Sequence, residues 1–455
     1  MKQKVIAIFD IGKTNKKLLL FNEQFEIVHE EEKKFAETED DDGFPCDDIA
    51  KIENWLKHTI YGLSKSNEYE LMAVNFSTYG ASLVYLDKKG QRIGPLYNYL
   101  KDIPEDLPAQ IYELHGGKDE FCRKTASPAM GMLNSGMQIF WLKRTKPHVY
   151  REVKNILHFP QYLSYLFTGK IISEYTSIGC HTAMWDFDNM QYHSWLARES
   201  IMLPAPVSNS VAYPVKINGQ TIKFGTGIHD SSASLVPSLA AVAEPYILGS
   251  TGTWCIFMNP FNDEPLTHDE LKNDTLCYLS TQQKQVKSSR FFMGHFHDIC
   301  LEKLNSFFQI EADAYKKVCL NPKTLKENEL FHGTRNFFFP SGFPEANYRI
   351  NDFDLNVFPS FEHAYHQLMN ELGNFAFEAL ERVVPKKDNI SKLFVSGGFS
   401  RNEILIHILS EKLPGKTVSS IEIKNATALG AAFVIRETAF HGKDLDSTVF
   451  NKFFI

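Results

Sequence analysis

Nothing in this chain approaches the roughly 18-residue apolar run that a membrane helix requires. The one early β run, residues 5–9, is cut by Asp10 too soon for the apolar core of a signal peptide. No block of lysine and arginine is present and the formal net charge is −7, so an extended nucleic-acid groove is excluded. An anionic partner then has to be met by a local site made of backbone amides, a metal or a few lysines. The seven cysteines, at 46, 122, 180, 255, 277, 300 and 319, form no C-x-x-C and are odd in number. That usage suits free thiols in a reducing cytoplasm, not a disulfide framework. The expectation is a cytoplasmic protein without membrane or nucleic-acid partners, a monomer or homodimer.

What is present is an ordinary globular composition, 43% hydrophobic and 23% charged, with ample material for cores. A length of 455 residues exceeds what one core usually holds, so two domains are expected, 1–243 and 244–455.

The organising stretch is 222–258. An apolar strand ends in Gly225-Thr226-Gly227 and delivers Ile228, His229 and Asp230 at its carboxyl edge. Ser231 and Ser232 are placed to cap a helix over 233–243 that Pro237 kinks or shortens. A second apolar strand breaks at Gly249-Ser250-Thr251-Gly252-Thr253 and resumes at once as residues 254–258. Such a hairpin carries bare backbone amides at its tip, suited to an anion such as phosphate.

The same design opens the chain: strand 5–9, the turn Asp10-Ile11-Gly12-Lys13-Thr14-Asn15, and strand 18–21, followed by a third strand at 25–29. The acidic cluster Glu37, Glu39, Asp40, Asp41 and Asp42 lacks EF-hand spacing and reads as a solvated loop. Helical periodicity marks 49–63, strands return at 71–76 and 82–86, and 104–166 is mainly helical. In the second half an amphipathic helix spans 361–383. A strand at 393–395 runs into Ser396-Gly397-Gly398-Phe399-Ser400-Arg401-Asn402, a helix covers 402–413 and a strand 417–423. The final helix, 426–438, opens on small residues that permit close packing. Strands alternating with helices in both halves indicate two α/β lobes clamping a nucleotide. His295, His297 and Cys300 lack a fourth ligand at zinc-finger spacing and read as structural.

These landmarks together resemble the FGGY carbohydrate kinases, within the actin, hexokinase and heat-shock ATPase superfamily. The likeness rests on Asp10 to Asn15, on Gly227-Ile228-His229-Asp230, on Gly249 to Trp254, on Gly397 to Asn402 and on Ala426 to Ala432. Pro160 to Gly169, followed by Glu174 to Ser177, is similar to a segment of the family's sugar-binding lobe. Lys13 replaces a usual threonine, Lys17 a frequent arginine and Phe399 a third glycine. Asn425 and Ser82 stand where acidic residues are common.

The resemblance implies two similar ribonuclease-H-like (actin-like ATPase) α/β lobes with a cleft between them, and ATP-dependent phosphorylation of a small carbohydrate. It makes Asp230 the general base and Asp10 the residue that holds Mg²⁺ through waters. Gly12, Lys13, Thr14, Asn15 and Lys17 would serve the phosphates with Gly252 and Thr253 opposing them, and Gly397, Gly398 and Asn402 the adenosine. Tyr79, Asp102, Gln138, His181, His229 and Asp230 would line the sugar pocket. The His229-Asp230 pair is similar to that of rhamnulose and fuculose kinases, which suggests a ketose acceptor. The alternatives are a polyol or aldonate kinase, or a non-catalytic sugar- or nucleotide-responsive regulator on the same fold.

Overall fold

The structure is a computed structural model that describes residues 2–332, 336–345, 348 and 354–440. Its frame is two sheets of the same plan. In the first, strands β1 (Gln3–Ile11), β2 (Lys16–Phe21) and β3 (Ile27–Lys33) form an antiparallel meander. Helix α1 (Ile49–Leu63) follows, and β4 (Tyr69–Thr78) then pairs parallel with β1. Strands β5 (Ala212–Ile217), β6 (Gln220–Gly225) and the two-residue β7 (Ile228–His229) complete this sheet, with β6 and β7 both parallel to β4.

The second sheet repeats the arrangement. Strands β8 (Tyr246–Thr251) and β9 (Cys255–Asn259) form the hairpin. Then come β10 (Thr275–Leu279) and β11 (Gln285–Phe291), of which β11 pairs with β9. Strands β12 (Lys392–Gly397) and β13 (Thr417–Ser420) add in parallel beside β8. In each sheet a run of three antiparallel strands takes parallel strands beside its first member, with β5 and β10 as extra antiparallel edge strands, the plan of two actin-like α/β lobes with a cleft between them.

Between β4 and β5 lies most of the insertion that distinguishes the first lobe. It includes α2 (Ser135–Thr145) and α3 (Phe159–Thr168), the latter stopped by Gly169 in the left-handed region (φ 64°). Its own core gathers Leu83, Tyr97, Phe121, Phe140 and Trp195. Residues 155–158, expected within a helical region, are instead a strand paired with 83–86. Four residues, Asn155-Ile156-Leu157-His158, are too few to show a period, and the distant partner strand decides them.

Helix α4 (Asp230–Ala241) starts three residues earlier than expected and keeps Pro237 inside. No side-chain cap precedes it; instead Asp230 Oδ1 accepts the Ser231 amide at 2.6 Å. The second lobe adds α5 (Met293–Phe308), α6 (Phe361–Glu381), α7 (Glu403–Lys412) and α8 (Ala426–Phe433). The final helix is shorter than its periodicity suggested, breaking before a separate turn of helix at Arg436–Phe440. The third strand also starts later, because Phe25 sits at φ 57° in the preceding turn.

Helices α4 and α8 join the lobes. A Cβ on Gly430 would stand 1.9 Å from the Ala233 carbonyl oxygen, so only glycine allows this approach. One core cluster runs from Ile6, Ile8 and Leu19 through Ala233 and Ala432 to Leu248 and Phe394. Asn75 of β4 adds a polar tie, donating to the Ala431 carbonyl at 2.8 Å and accepting from Gly227 N at 3.1 Å.

Candidate active site

Asp10 and the His229-Asp230 pair stand at the carboxyl edge of the first sheet, on either side of β4. Asp10 registers with Ser77, and Ile228 registers with the same Ser77 from the other side. Two strand spacings put the backbones of residues 10 and 228 roughly 10 Å apart, with their side chains over one edge. The side chains feel each other. Burial, then the charge of Asp230, pushes the Asp10 carboxyl up to about 7, against the opposing pull of Lys17.

Asp230 is held from one side only. Its Oδ1 accepts from Ser231 N and from Ser231 Oγ at 3.2 Å, and lies 3.2 Å from His229 Nε2. Among the described residues its other oxygen has no partner, and the side chain is 35% exposed. His229 is fully enclosed: its amide donates to Thr176 Oγ1, and Nε2 also meets Cys180 Sγ at 3.3 Å. A Cβ on Gly80 would lie 2.9 Å from that nitrogen, so the Tyr79-Gly80-Ala81 turn forms its wall. With Nε2 carrying the proton toward Asp230, Nδ1 is a buried acceptor with no partner among the described residues. Burial lowers the proton affinity of His229 despite Asp230, and that of His158 and His181 more strongly, to about 3 and about 4. All three imidazoles are therefore neutral near pH 7.

Of the other residues expected at the sugar pocket, His181 sits beside this cluster at φ 37°, with Nδ1 3.2 Å from the Leu133 carbonyl. Gln138 is fully buried and spends its amide on the Ala81 and Met132 carbonyls, leaving Oε1 unpaired. Tyr79 donates its hydroxyl to Asp47 at 2.7 Å and is a wall residue. Asp102 lies exposed on its loop, and nothing brings it to the others.

In the first hairpin turn Gly12 donates to the Asn15 carbonyl at 2.9 Å, Thr14 is exposed and Asn15 Oδ1 is buried without a partner among the described residues. Lys13 departs from its expected place. Its ammonium is paired with Asp47 (2.8 Å) and Glu37 (3.0 Å), and Lys16 takes the other Asp47 oxygen. Burial would raise the Asp47 carboxyl, but Lys13, Lys16 and Tyr79 hold it below its ordinary range. Asp47 was not anticipated, since nothing in the sequence links it to a turn 34 positions away. Lys17 reaches Glu30 at 3.1 Å and Asn425 of the second lobe at 3.4 Å.

The second hairpin and the glycine turn at 397–398 are stapled together. Gly398 N donates to the Thr251 carbonyl at 2.7 Å and Phe399 N to Thr251 Oγ1 at 3.1 Å. Gly397 has φ +86° and a Cβ there would lie 1.9 Å from Thr251 O. Gly252, Thr253, Gly398 and Asn402 together border a cavity of about 390 Å³. Asn402 serves it as a cap, accepting from Leu405 N and donating to Tyr365 Oη. The same cavity takes Gly294, His297, Tyr315 and Lys316, which sequence reasoning did not find. The readable signal was the Met293-Gly294 step after a strand, since Gly294 N donates to Thr253 O and a Cβ there would meet Gly252 O at 2.2 Å.

The acidic triplet Asp40, Asp41 and Asp42 is the one close group of metal-type ligands among the described residues. Lys101 and Lys146 already neutralise it, at 2.5–2.8 Å. His297 packs against Tyr315, Tyr365 and Phe399, and His295 stacks on Phe292.

Comparison with known proteins places this geometry. The N-terminal domain of the FGGY family of carbohydrate kinases matches residues 5–223. A rhamnulokinase of Yersinia pestis (strain Pestoides F) is 26% identical over 394 residues, covering 81% of this chain and 76% of that protein. Among solved structures, a carbohydrate kinase from Novosphingobium aromaticivorans superposes with a TM-score of 0.78 at 21% identity, over 96% of this chain and 92% of its own. Ligand-bound xylulose kinase from Lactobacillus acidophilus superposes with a TM-score of 0.75 at 16% identity, over 99% and 92%. Residues 5–223 thus match the N-terminal domain of the FGGY family of carbohydrate kinases in sequence, and both lobes share the fold of the solved carbohydrate kinases.

Proposed function

We propose that the protein transfers the γ-phosphate of ATP to a hydroxyl of a ketose of the L-rhamnulose or L-fuculose type, with Asp230 as general base. The observation that carries this reading is the half-engaged carboxylate of Asp230 at the sheet edge. One oxygen is fixed by Ser231 and His229, and the other is open to an acceptor hydroxyl. Such a base removes the hydroxyl proton as the oxygen attacks phosphorus, and positioning supplies most of the remaining acceleration. His229 orients the base through Nε2. The His229-Asp230 pair and the similarity to rhamnulokinases support a ketose as the acceptor.

The family's divalent metal fits the residues present. Asp10 offers a hard oxygen ligand whose proton is held only because burial and Asp230 disfavour its charge, a penalty that a cation relieves. When bound, Mg²⁺ would supply charge neutralisation at the phosphates. Gly12, Thr14 and Asn15 would then serve the phosphates from the first lobe and Gly252 and Thr253 from the second. The turn at 397–398 and Asn402 would hold the adenosine, with the lobes divided at 243/244. Tyr79, Gln138 and His181 belong to the sugar side as walls.

The test is ATP consumption with Mg²⁺ over a panel of ketoses, aldoses, polyols and aldonates. Turnover confined to polyols or aldonates would replace the acceptor. Binding without turnover on any of them would make the protein a regulator.

A further inference from the structure

Glu174 is a fully buried carboxylate with no part in the proposed chemistry, and among the described residues no cation pairs with it. Hydrogen bonds alone meet its charge. Oε1 accepts from Thr176 N at 2.6 Å. Oε2 accepts from Thr176 Oγ1 at 2.7 Å, Ser177 N at 3.1 Å and Ser177 Oγ at 3.2 Å. Burial raises this carboxyl to about 7 against those bonds and the nearby Asn209 amide. Capping the single turn of helix at Tyr175–Ile178 needs only the two backbone bonds. The two hydroxyl bonds exceed that need, and the one from Thr176 leads to the His229-Asp230 segment.

A hydroxyl has one proton to give. Thr176 gives its proton to Glu174, so its oxygen is left to accept, and it accepts the His229 amide at 3.0 Å. The carboxylate thereby sets the direction of a two-bond relay, from His229 N–H through Thr176 to Glu174, in which each bond polarises the next. The segment so held is short. β7 is two residues long and pairs only with β4. Helix α3 secures the approach to it: Gln161 reaches the Thr226 and Gly227 carbonyls at 3.3 Å, and Ser164 the Gly225 carbonyl at 2.6 Å. Past Gly227, Thr176 makes the only side-chain hydrogen bond to the backbone of residues 228 and 229 among the described residues.

We propose that Glu174 is a positioning residue which, through Thr176, fixes the His229 amide and with it the direction in which Asp230 presents its open oxygen. The proposal rests on Asp230 as general base and deepens that reading. Alignment of a reacting pair is steep in distance, and a displacement of about 1 Å can cost a hundredfold in rate. A two-residue strand held on one edge needs a second hold on the other, and the relay supplies it.

The experiment compares the full chain with Thr176→Val, which keeps the shape and removes the hydroxyl, Thr176→Ser, which restores it, and Glu174→Gln. Hydrogen exchange at the His229 amide is read by mass spectrometry beside ADP affinity and sugar-dependent kinetics. In Thr176→Val and Glu174→Gln, exchange at His229 should rise about tenfold while that of β1 and β8 stays at the parent value. Their kcat should fall about tenfold or more with ADP affinity unchanged. Thr176→Ser should restore both readouts. Unchanged exchange at His229 in folded Thr176→Val and Glu174→Gln proteins would overturn the proposal, as would parental kcat despite faster exchange. A rise shared equally by β1 and β8 would mark a merely structural role and overturn it as well. A parent chain without turnover on any acceptor, but with the expected exchange pattern in the variants, would strike the role of Asp230 while bearing out the hold of Glu174 on His229.

Discussion

At the scale of single residues the site turns on two carboxylates made unlike by their surroundings. Asp230→Asn keeps the shape of the proposed base and removes its proton acceptor. It should leave ADP affinity within about twofold and lower sugar-dependent turnover by roughly 10²–10⁴-fold, read by calorimetry and a coupled assay. Retained turnover would remove Asp230 as the base. Asp10 sets a pH dependence. Its folded value of about 7 lies well above that of an ordinary aspartate, so the metal-free fold binds this proton more tightly than the unfolded chain. That contribution to stability is present at low pH and is lost as pH rises through 7. A cation must displace the proton, so apparent Mg²⁺ affinity should fall about tenfold per unit below pH 7. Asp230→Asn, by removing a charge that raises Asp10, should move the fall to lower pH. An affinity flat from pH 5.5 to 8 would show that Asp10 is not the ligand. Both aspartates were legible because a lone carboxylate closing an apolar strand stands out. The hold of Asp47 on Lys13 was not, since ion pairs between distant loops leave no local pattern.

At the scale of elements, the two glycine turns make contrasting demands. Gly397 is at φ +86° with a carbonyl oxygen where its Cβ would be, whereas a Cβ on Gly252 would meet open space. Gly397→Ala should cost about 1–3 kcal/mol in urea unfolding and abolish ADP binding with it. Gly252→Ala should stay within about 0.5 kcal/mol of the parent, so any loss of ADP affinity there reports on the site itself. Equal stabilities would contradict the backbone geometry at Gly397. Hairpins β1–β2 and β8–β9 were readable because their partners adjoin in sequence. The strand at 155–158 was not, because its partner at 83–86 lies across the whole helical insertion.

At the scale of the whole molecule, two sheets of one plan share a core through α4 and α8, and a second core packs Leu266, Cys277 and Leu279 of the second lobe against the insertion of the first. Closure of the lobes on both ligands would exclude water from the reacting phosphate. Small-angle scattering with a ketose and a non-hydrolysable ATP analogue together should give a smaller radius of gyration than either ligand alone. A curve unchanged by both would count against a hinge. The sequence by itself determined the duplicated hairpins, the carboxylates ending the strands and the small-residue helix, because each depends on the chain's nearest neighbours and on side-chain volume. Only the tertiary structure decided that Asp10 and Asp230 flank one strand, that Asp47 takes Lys13, and that Gly294 and Tyr315 join the cavity bordered by Gly252 and Gly398. Those juxtapositions come from segments far apart along the chain, and only packing brings them within reach of one another.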